Sequence, residues 1–395
     1  MRRVASITGS RADYGLMEPV YRAIVGSPDF DFHLVITGMH HVPEFASSLA
    51  QVRNDHFGTL HEVKLPDVED DSGKSMADSI GHGILGIESV FDAIKPDIVL
   101  LQGDRGEMLA AAIAATHMGI PLVHMSGGDF SGSIDDSVRN AISKLSHFHL
   151  TTCDASTRRL IGMGESSGRI VEVGEPALDL LRTMDFVPIE TLAGELGLET
   201  GKSFLLATLH PVTDEWDQAA HQMQAMLDAL ATLDMPAVVT YPNNDAGGRA
   251  MRDVLESRRQ QSLLRIVPNL GSHRYLSLLR HAAAMIGNSS SGIIEAPALK
   301  IPVVNIGSRQ HNRLRAANVI DVPHQTDAIV KAVRFALTDP DFRRRLAACK
   351  SPYGDARAAE RTVDILLRLR LGNSLIAKWK QAPVSAFLAA TTDAV

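Results

Sequence analysis

Short apolar and β-branched runs alternate with helix-compatible stretches along most of the chain. "VASIT", "FHLVITG", "DIVLLQG", "PLVHMSG" and "HFHLTT" read as strands, and stretches such as "GEMLAAAIAATHMG" read as the helices between them. That alternation predicts a parallel sheet covered by helices. Over 185–202, "DFVPIETLAGELGLETGK", the pattern loosens, and it restarts with "SFLLATLH", "PAVVTYP", "LLRIVPN", "AAMIGNS" and "IPVVNIG". The expected organisation is a doubly wound α/β domain over 1–184, a linker over 185–202 and a second α/β domain over 203–354. A helix over 355–371, "DARAAERTVDILLRLRL", would return to the first domain, and the weakly patterned tail 373–395 would fray.

Length and composition narrow the function classes. A chain of 395 residues is long enough for two buried cores. The net charge of -7 is mild and spread out, unlike the one-sided basic footprint of a nucleic-acid binder. Cys153 and Cys349 are far apart and form no metal or redox spacing, which suits a reducing cytoplasm. The N-terminal "MRRVASITGS" lacks the apolar core of a signal peptide, and no apolar run approaches the ~20 residues of a membrane span. The expected location is the cytoplasm, without nucleic-acid or membrane partners.

In open α/β sheets, ligands bind beyond the carboxyl ends of the strands. Polar motifs stand at those places: Ser10, Arg11 and Asp13 after the first strand, His40 after the second, then Gly103, Asp104 and Arg105, then "SGGD". In the second half, His210, Asn243, "GNSSSG" and "GSRQHNR" hold the equivalent positions. In "GNSSSG", Ser289, Ser290, Ser291 and Gly292 are expected to open a helix. Its unpaired N–H groups, its dipole and the hydroxyls would suit a phosphate or diphosphate. The competing reading is a simple helix cap, but a cap needs one hydroxyl and this stretch has three. Neither a Walker motif nor a dinucleotide fingerprint is present there.

Glu295, one helical turn on, could accept bonds from ribose hydroxyls, or could be a helix-start glutamate favoured by the dipole. Arg309 and Arg313 could bind phosphate oxygens or be solvated surface arginines. His210 could donate to phosphate or be a satisfied loop histidine. In the first half, Asp129, Asp135, Asp136 and Arg139 gather within eleven residues, with Asp104 a strand earlier. Carboxylates crowded together repel one another, which raises the pKa of at least one and sets a proton donor beside an acceptor. Asp136 is the one expected to be a cap or to face solvent.

At these residues the chain resembles the hydrolysing UDP-N-acetylglucosamine 2-epimerases of bacterial sialic-acid and related nonulosonic-acid pathways. The matching pieces include "TGSRADYGLMEPV", "VLLQGDRGEMLAAAIAA", "IPLVHMSGGD", "SIDDSVRNAISKLSHFH", "HPVT", "YPNNDAGGR", "GNSSSGIIEAP" and "PVVNIGSRQHNR", in family order from about residue 6 to 320. The resemblance implies two Rossmann-like domains of the GT-B type with the active site in the interdomain cleft, and a nucleotide-sugar substrate. It implies elimination of the nucleoside diphosphate across C1 and C2 to a 2-acetamidoglucal, then hydration that inverts C2 and frees the sugar. Asp104, Asp129 and Asp135 would be the acid/base carboxylates. Arg11, His210 and the serine loop would stabilise the diphosphate, and Glu295 would hold the ribose. His40, Arg139, Asn243, Arg309 and Arg313 complete the expected substrate contacts. No metal or cofactor is required, and a homo-oligomer, dimer or tetramer, is expected.

The chain departs from the family pattern beside the sugar. Family members commonly carry Glu where this chain has Asp129 and His where it has Asn140. Sugar identity is therefore the open point: UDP-N-acetylglucosamine is the first expectation, and UDP- or GDP-N,N'-diacetylbacillosamine, on the route to legionaminic acid, is the alternative. Non-hydrolysing relatives usually have a lysine a few residues after the first arginine, where this chain has Leu16, so release of free sugar is expected. A glycosyltransferase on the same fold and a non-catalytic nucleotide-sugar sensor are the rivals from other classes.

Overall fold

The structure is a computed structural model and describes residues 1–42, 46–65, 73–131, 135–243, 245–268, 270–378 and 382–389. Asn244 of the "YPNNDAGGR" motif and parts of the tail lie outside the described residues. The chain divides into two compact units, Met1–Leu180 with Tyr353–Val395, and Leu181–Pro352.

The first unit is built on β1 (Arg2–Thr8), α1 (Arg11–Val25), β2 (Phe30–Ile36), α2 (Ala46–Asp55), β3 (Thr59–Glu62), α3 (Gly73–Ile94), β4 (Ile98–Gln102), α4 (Gly106–His117), β5 (Leu122–Met125), α5 (Asp135–Leu145), β6 (Phe148–Thr151), α6 (Asp154–Gly162), β7 (Ile170–Glu172) and the start of α7 (Ala177–Thr183). Its seven-stranded sheet is parallel, in the order β3-β2-β1-β4-β5-β6-β7. Side chains alternate between faces with the period of two that a pleated strand imposes. Val4, Ile98, Leu100 and Val123 pack on one face with Val20 and Ile24 of α1, whereas Ala5, Val99, Leu101 and Leu122 pack on the other with residues of α3, α4 and α5.

The second unit contains α8 (Ile189–Leu196), β8 (Leu205–Thr208), α9 (Ala219–Leu233), β9 (Ala237–Thr240), α10 (Gly248–Ser257), β10 (Leu264–Val267), α11 (Gly271–His281), β11 (Ala284–Gly287), α12 (Glu295–Ala298), β12 (Val303–Ile306), β13 (Val319–Val322), α13 (Thr326–Thr338) and α14 (Pro340–Ala347). Its six strands are parallel, ordered β10-β9-β8-β11-β12-β13. The chain then returns to the first unit with α15 (Ala358–Arg368) and α16 (Asn373–Ile376). Strand order reverses beside β1 and β4 in one sheet and beside β8 and β11 in the other, the places where doubly wound sheets open a crevice for ligands.

Two stretches differ from the sequence expectation. The loose segment 185–202 contains α8, whose Leu192 is fully buried and which ends on left-handed Gly197, φ 63. Tail residues 373–378 and 382–389 are packed rather than frayed: Leu375 and Phe387 join the first unit's core, and Leu388 bridges to Leu369. Small residues made the tail look weak in sequence, but its few apolar side chains suffice to anchor it.

Candidate active site

At the carboxyl end of β1, Ser10 caps α1 and leaves Arg11 exposed, with no hydrogen bond or ion pair among the described residues. Two residues on, Asp13 turns inward and takes hydrogen bonds from Thr8 Oγ1 at 2.6 Å, Ser10 Oγ at 2.7 Å and the Gly9 amide at 3.2 Å. Burial raises its pKa against the pull of those donors and of Arg105. His40 lies behind it, 1% exposed, with Nε2 2.9 Å from Thr8 Oγ1 and Nδ1 2.9 Å from Ser48 Oγ. Both ring nitrogens are thus engaged inside the protein. Burial, with His41 and Arg105 nearby, pushes the His40 pKa down to about 4. His40, an expected substrate contact, stands at the strand end, and its ring supports Asp13 through Thr8.

The aspartates expected to do acid/base work each have a distinct anchor. Asp104, after β4, is ion-paired with Arg139. Asp129 Oδ1 accepts from Thr152 Oγ1 at 2.7 Å and from Ser156 Oγ at 2.5 Å, so two hydroxyls at the start of α6 hold it. Asp135 opens α5, is exposed, and lies in the field of Arg105. Asp136 does not face solvent freely: its Oδ1 takes bonds from the Ser131 amide and hydroxyl, each at 2.8 Å, and from Arg139 Nη1 at 2.7 Å. Arg139 also donates to the Asp129 carbonyl at 2.8 Å and is only 6% exposed. Arg139, an expected substrate contact, is also the cation that gathers this cluster. The repulsion expected among crowded carboxylates is offset by Arg139 and Arg105.

Two residues of this region were not assigned a role in sequence, although Ser126 opens the "SGGD" motif. Ser126, just after β5, has φ 63, and its buried hydroxyl makes no hydrogen bond among the described residues. His124, within β5, is fully buried and bonded to Gly103 and Ser143. The signal for His124 was a lone polar residue inside an apolar strand; that for Ser126 was its place in the polar "SGGD" motif.

In the second unit the serine loop departs from its expected form. Instead of one long helix, Ser290–Gly292 form a 3-10 turn and α12 spans only Glu295–Ala298. Gly292, the branched pair Ile293 and Ile294, and Pro297 in so short a span disfavour a continuous helix. A strong dipole is therefore absent. Ser289 Oγ accepts from the Ser291 amide at 3.4 Å, which is the cap weighed as the competing reading, while Ser290 and Ser291 remain half-buried beside it.

Positive charge comes from side chains instead. Arg309 has no ion pair among the described residues; its Nη1 donates to the Asn288 carbonyl at 3.2 Å. Burial, then the neighbouring Arg313, lower its pKa, with Asp245 acting against them. A largely desolvated guanidinium without a paired carboxylate is costly, and an anionic ligand relieves that cost. His210 Nδ1 accepts from the Asn243 amide at 3.0 Å, so Nε2 carries the proton of the neutral ring. Burial and Arg309 push its pKa down to about 3. Asn288, the fully buried asparagine of "GNSSSG", binds the backbone of His210 on both sides, and Gln310 Nε2 donates to the Asn288 carbonyl at 2.8 Å.

Glu295 Oε2 is buried without a partner among the described residues, and burial raises its pKa, opposed by its own amide, Ser291 and Arg313. Asn243 Oδ1 is likewise buried and unpartnered among the described residues. Loops after β8, β9, β11 and β12 thus present Arg309, the Nε2–H of His210 and two open acceptors.

A family model described as UDP-N-acetylglucosamine 2-epimerase matches residues 22–367. The chain belongs to that family. The 2-epimerase relative from Legionella pneumophila, UDP-N,N'-diacetylbacillosamine 2-epimerase (hydrolyzing), is 39% identical over 378 residues, 96% of this chain and 99% of the relative. The Campylobacter jejuni GDP/UDP-N,N'-diacetylbacillosamine 2-epimerase (hydrolyzing) is 34% identical over 324 residues, 81% of this chain and 84% of its own. In fold, the crystal structure of the Neisseria meningitidis UDP-GlcNAc 2-epimerase bound to UDP-GlcNAc matches with a TM-score of 0.79 at 19% identity, covering 92% of this chain and 99% of that one. The two parallel-sheet units are those expected of a GT-B-like 2-epimerase. Among the described residues, no helix is long and apolar enough to cross a membrane, and no three His, Cys, Asp or Glu side chains gather as metal ligands.

Proposed function

We propose that this 2-epimerase hydrolyses UDP-N,N'-diacetylbacillosamine to UDP and free 2,4-diacetamido-2,4,6-trideoxymannose. The observation that carries the choice of sugar is the nearly full-length match to the Legionella relative. UDP-N-acetylglucosamine, the first expectation from sequence, becomes the second reading.

The reaction runs in two halves. A carboxylate takes the C2 proton as the C1–O bond breaks, UDP leaves with the bonding pair, and a C1=C2 double bond remains. A carboxylate then takes one proton from water as the water oxygen bonds C1, and a carboxyl group on the opposite face gives a proton to C2. C2–H is weakly acidic, so the first half depends on neutralising the departing diphosphate while a positioned base acts. Arg309, Arg313, the Nε2–H of His210, the serine loop and Arg11 serve the diphosphate. Glu295 and Asn243 offer acceptors to the nucleoside. Asp104, Asp129 and Asp135 divide the proton transfers, with Arg139 holding Asp104.

The test is proton NMR of the purified protein in D2O with UDP-N,N'-diacetylbacillosamine, its GDP analogue and UDP-N-acetylglucosamine in separate tubes. The expected result is a free manno-configured sugar, deuterated at C2, from the first. Release only from UDP-N-acetylglucosamine overturns the sugar, and return of an intact epimerised nucleotide sugar overturns hydrolysis. Asp104→Asn should lower kcat by about 100-fold or more, the usual scale for a lost acid/base group, with UDP affinity kept. Retained turnover removes Asp104 from the reaction.

A further inference from the structure

We infer that His124 is a positioning residue that sets the place of Asp104 relative to the helix bearing Asp135, by tying the loop after β4 to α5 from beneath. The inference rests on the proposed reaction for its kinetic consequence, and on geometry for the tie itself.

His124 lies on the sheet face that α3, α4 and α5 cover, beside Leu101 and His149 in the strand register. It is 0% exposed. Nε2 is 2.8 Å from the Gly103 carbonyl and Nδ1 is 3.0 Å from Ser143 Oγ. A carbonyl can only accept, so Nε2 bears the proton. Burial pushes the pKa down to about 3, so the ring is neutral and Nδ1 accepts from the Ser143 hydroxyl. Tautomer and roles are thereby fixed by the two partners.

Each partner adjoins the carboxylate machinery. Gly103 precedes Asp104 and bends the chain there with φ +76. Ser143 stands one helical turn after Arg139 on α5, and residues four apart share a helix face. Arg139 is itself paired with Asp104. The contacts therefore close a circuit: Gly103 to His124, His124 to Ser143, one turn of α5 to Arg139, and Arg139 back to Asp104. Two struts, one ionic and one through the neutral imidazole, join the loop to the helix.

Gly127, in the turn leading to Asp129, passes directly over this bridge. A Cβ there would sit 2.9 Å from His124 Nδ1 and 3.0 Å from Ser143 Oγ, closer than side chains tolerate. All three aspartate-bearing segments thus meet one buried ring. An apolar side chain at position 124 would fill the space and leave the Gly103 carbonyl and the Ser143 hydroxyl without this partner.

The experiment compares wild type, His124→Leu, His124→Gln and Ser143→Ala for kcat, KM, UDP affinity and thermal stability, with kcat counted per UDP-binding site so that unfolded protein does not lower it. Misplacing a catalytic group by an ångström costs on the order of 100-fold, so His124→Leu should lose about that in kcat with KM within about threefold. A glutamine amide can replace the Nε2–H, so His124→Gln should recover to within about tenfold of wild type. Equal kcat in His124→Leu and wild type, or a glutamine variant no better than leucine, overturns the inference. If His124→Leu does not fold, Ser143→Ala decides: about tenfold lower kcat is expected on the same scale, and wild-type kcat overturns the inference.

If wild type releases UDP from none of the donors, the reaction reading falls instead. The tie is then read by NMR titration of the Asp104 carboxyl in wild type and Ser143→Ala, where a shifted midpoint supports it and identical curves overturn it.

Discussion

Asn288 grips His210 with both ends of its amide: Oδ1 accepts from the His210 N–H at 2.7 Å, and Nδ2 donates to the His210 carbonyl at 2.8 Å. Two strand-end loops are thereby locked to each other, and Arg309 and Gln310 fasten a third through the Asn288 carbonyl. Asn288→Leu would leave two backbone groups unpaired at a fully buried position. At roughly 1–3 kcal/mol for each such group, the variant should lose about 3 kcal/mol of stability in urea denaturation. Calorimetric titration with UDP should show affinity at least about tenfold weaker, the equivalent of 1.4 kcal/mol, because the His210 loop is no longer held. Unchanged UDP affinity would remove this cluster from the nucleotide site.

Ser126 combines a left-handed backbone with a buried hydroxyl that has no partner among the described residues. Its carbonyl receives the Asp129 amide at 3.4 Å, so the bend shapes the turn that carries that carboxylate. Glycine adopts this conformation without the Cβ clash and removes the unpaired hydroxyl, although it costs about 0.5–1 kcal/mol in chain entropy. Ser126→Gly should therefore gain about 1 kcal/mol of stability. Turnover should fall at the same time if the strain is kept for the site. A variant that is less stable than wild type contradicts the strain argument.

The central strands were legible because they are buried on both faces and appear as continuous apolar runs, "DIVLLQG" and "PAVVTYP" among them. β3, β7 and β13 were not: β3 and β13 are edge strands reading "TLHE" and "VIDV" with largely unburied patterns, and β7 has three residues. Pairing from one side needs little hydrophobicity, so it leaves little trace. Candidate site residues at strand ends were legible because topology dictates where polar loops fall. Their partners were not. That Asp13 faces His40 through Thr8, or that Arg139 spends its charge on Asp104 and Asp136, depends on side-chain directions that residue type alone does not encode.

Burial keeps His40 and His147 neutral, with pKa values pushed down to about 4, and His124 and His210 at about 3. In an unfolded chain histidine titrates near ~6.5. Between those values the unfolded state binds protons that the native state refuses. Stability is therefore full above about pH 6.5 and is lost as pH falls toward 4 and then 3, each group contributing a slope of at most ~1.4 kcal/mol per pH unit. Urea midpoints should fall from pH 7.5 to 5. His147→Asn keeps an acceptor for the Leu122 amide, which His147 Nδ1 now receives at 3.0 Å, and should make the decline shallower by one proton. A flat wild-type profile over that interval would show that these rings are not held neutral.

Arg169 is fully buried and spends its guanidinium on carbonyls: His147 at 3.0 Å, Leu375 at 2.5 Å, Ser374 at 3.1 Å and Ala377 at 2.9 Å, with the Phe387 ring 4.4 Å away. Three of those carbonyls end α16, so the arginine caps a helix too short to hold itself. Beside it, Lys378 pairs with Glu165 at 2.8 Å, which is one reason the Glu165 pKa is pulled down to about 2 despite burial. Arg169→Met retains much of the volume but removes every one of those donors, and should cost about 3 kcal/mol, the scale of a broken buried charge contact. Limited proteolysis should then cut the chain within 373–378 or 382–389, where wild type resists. Gly168→Ala provides an independent check without touching the charge, because a Cβ at 168 would fall 1.7 Å from the Ala382 carbonyl and push the tail off. If both variants keep the tail protected, the arginine cap is not what secures it, and the apolar contacts of Leu375 and Phe387 alone must.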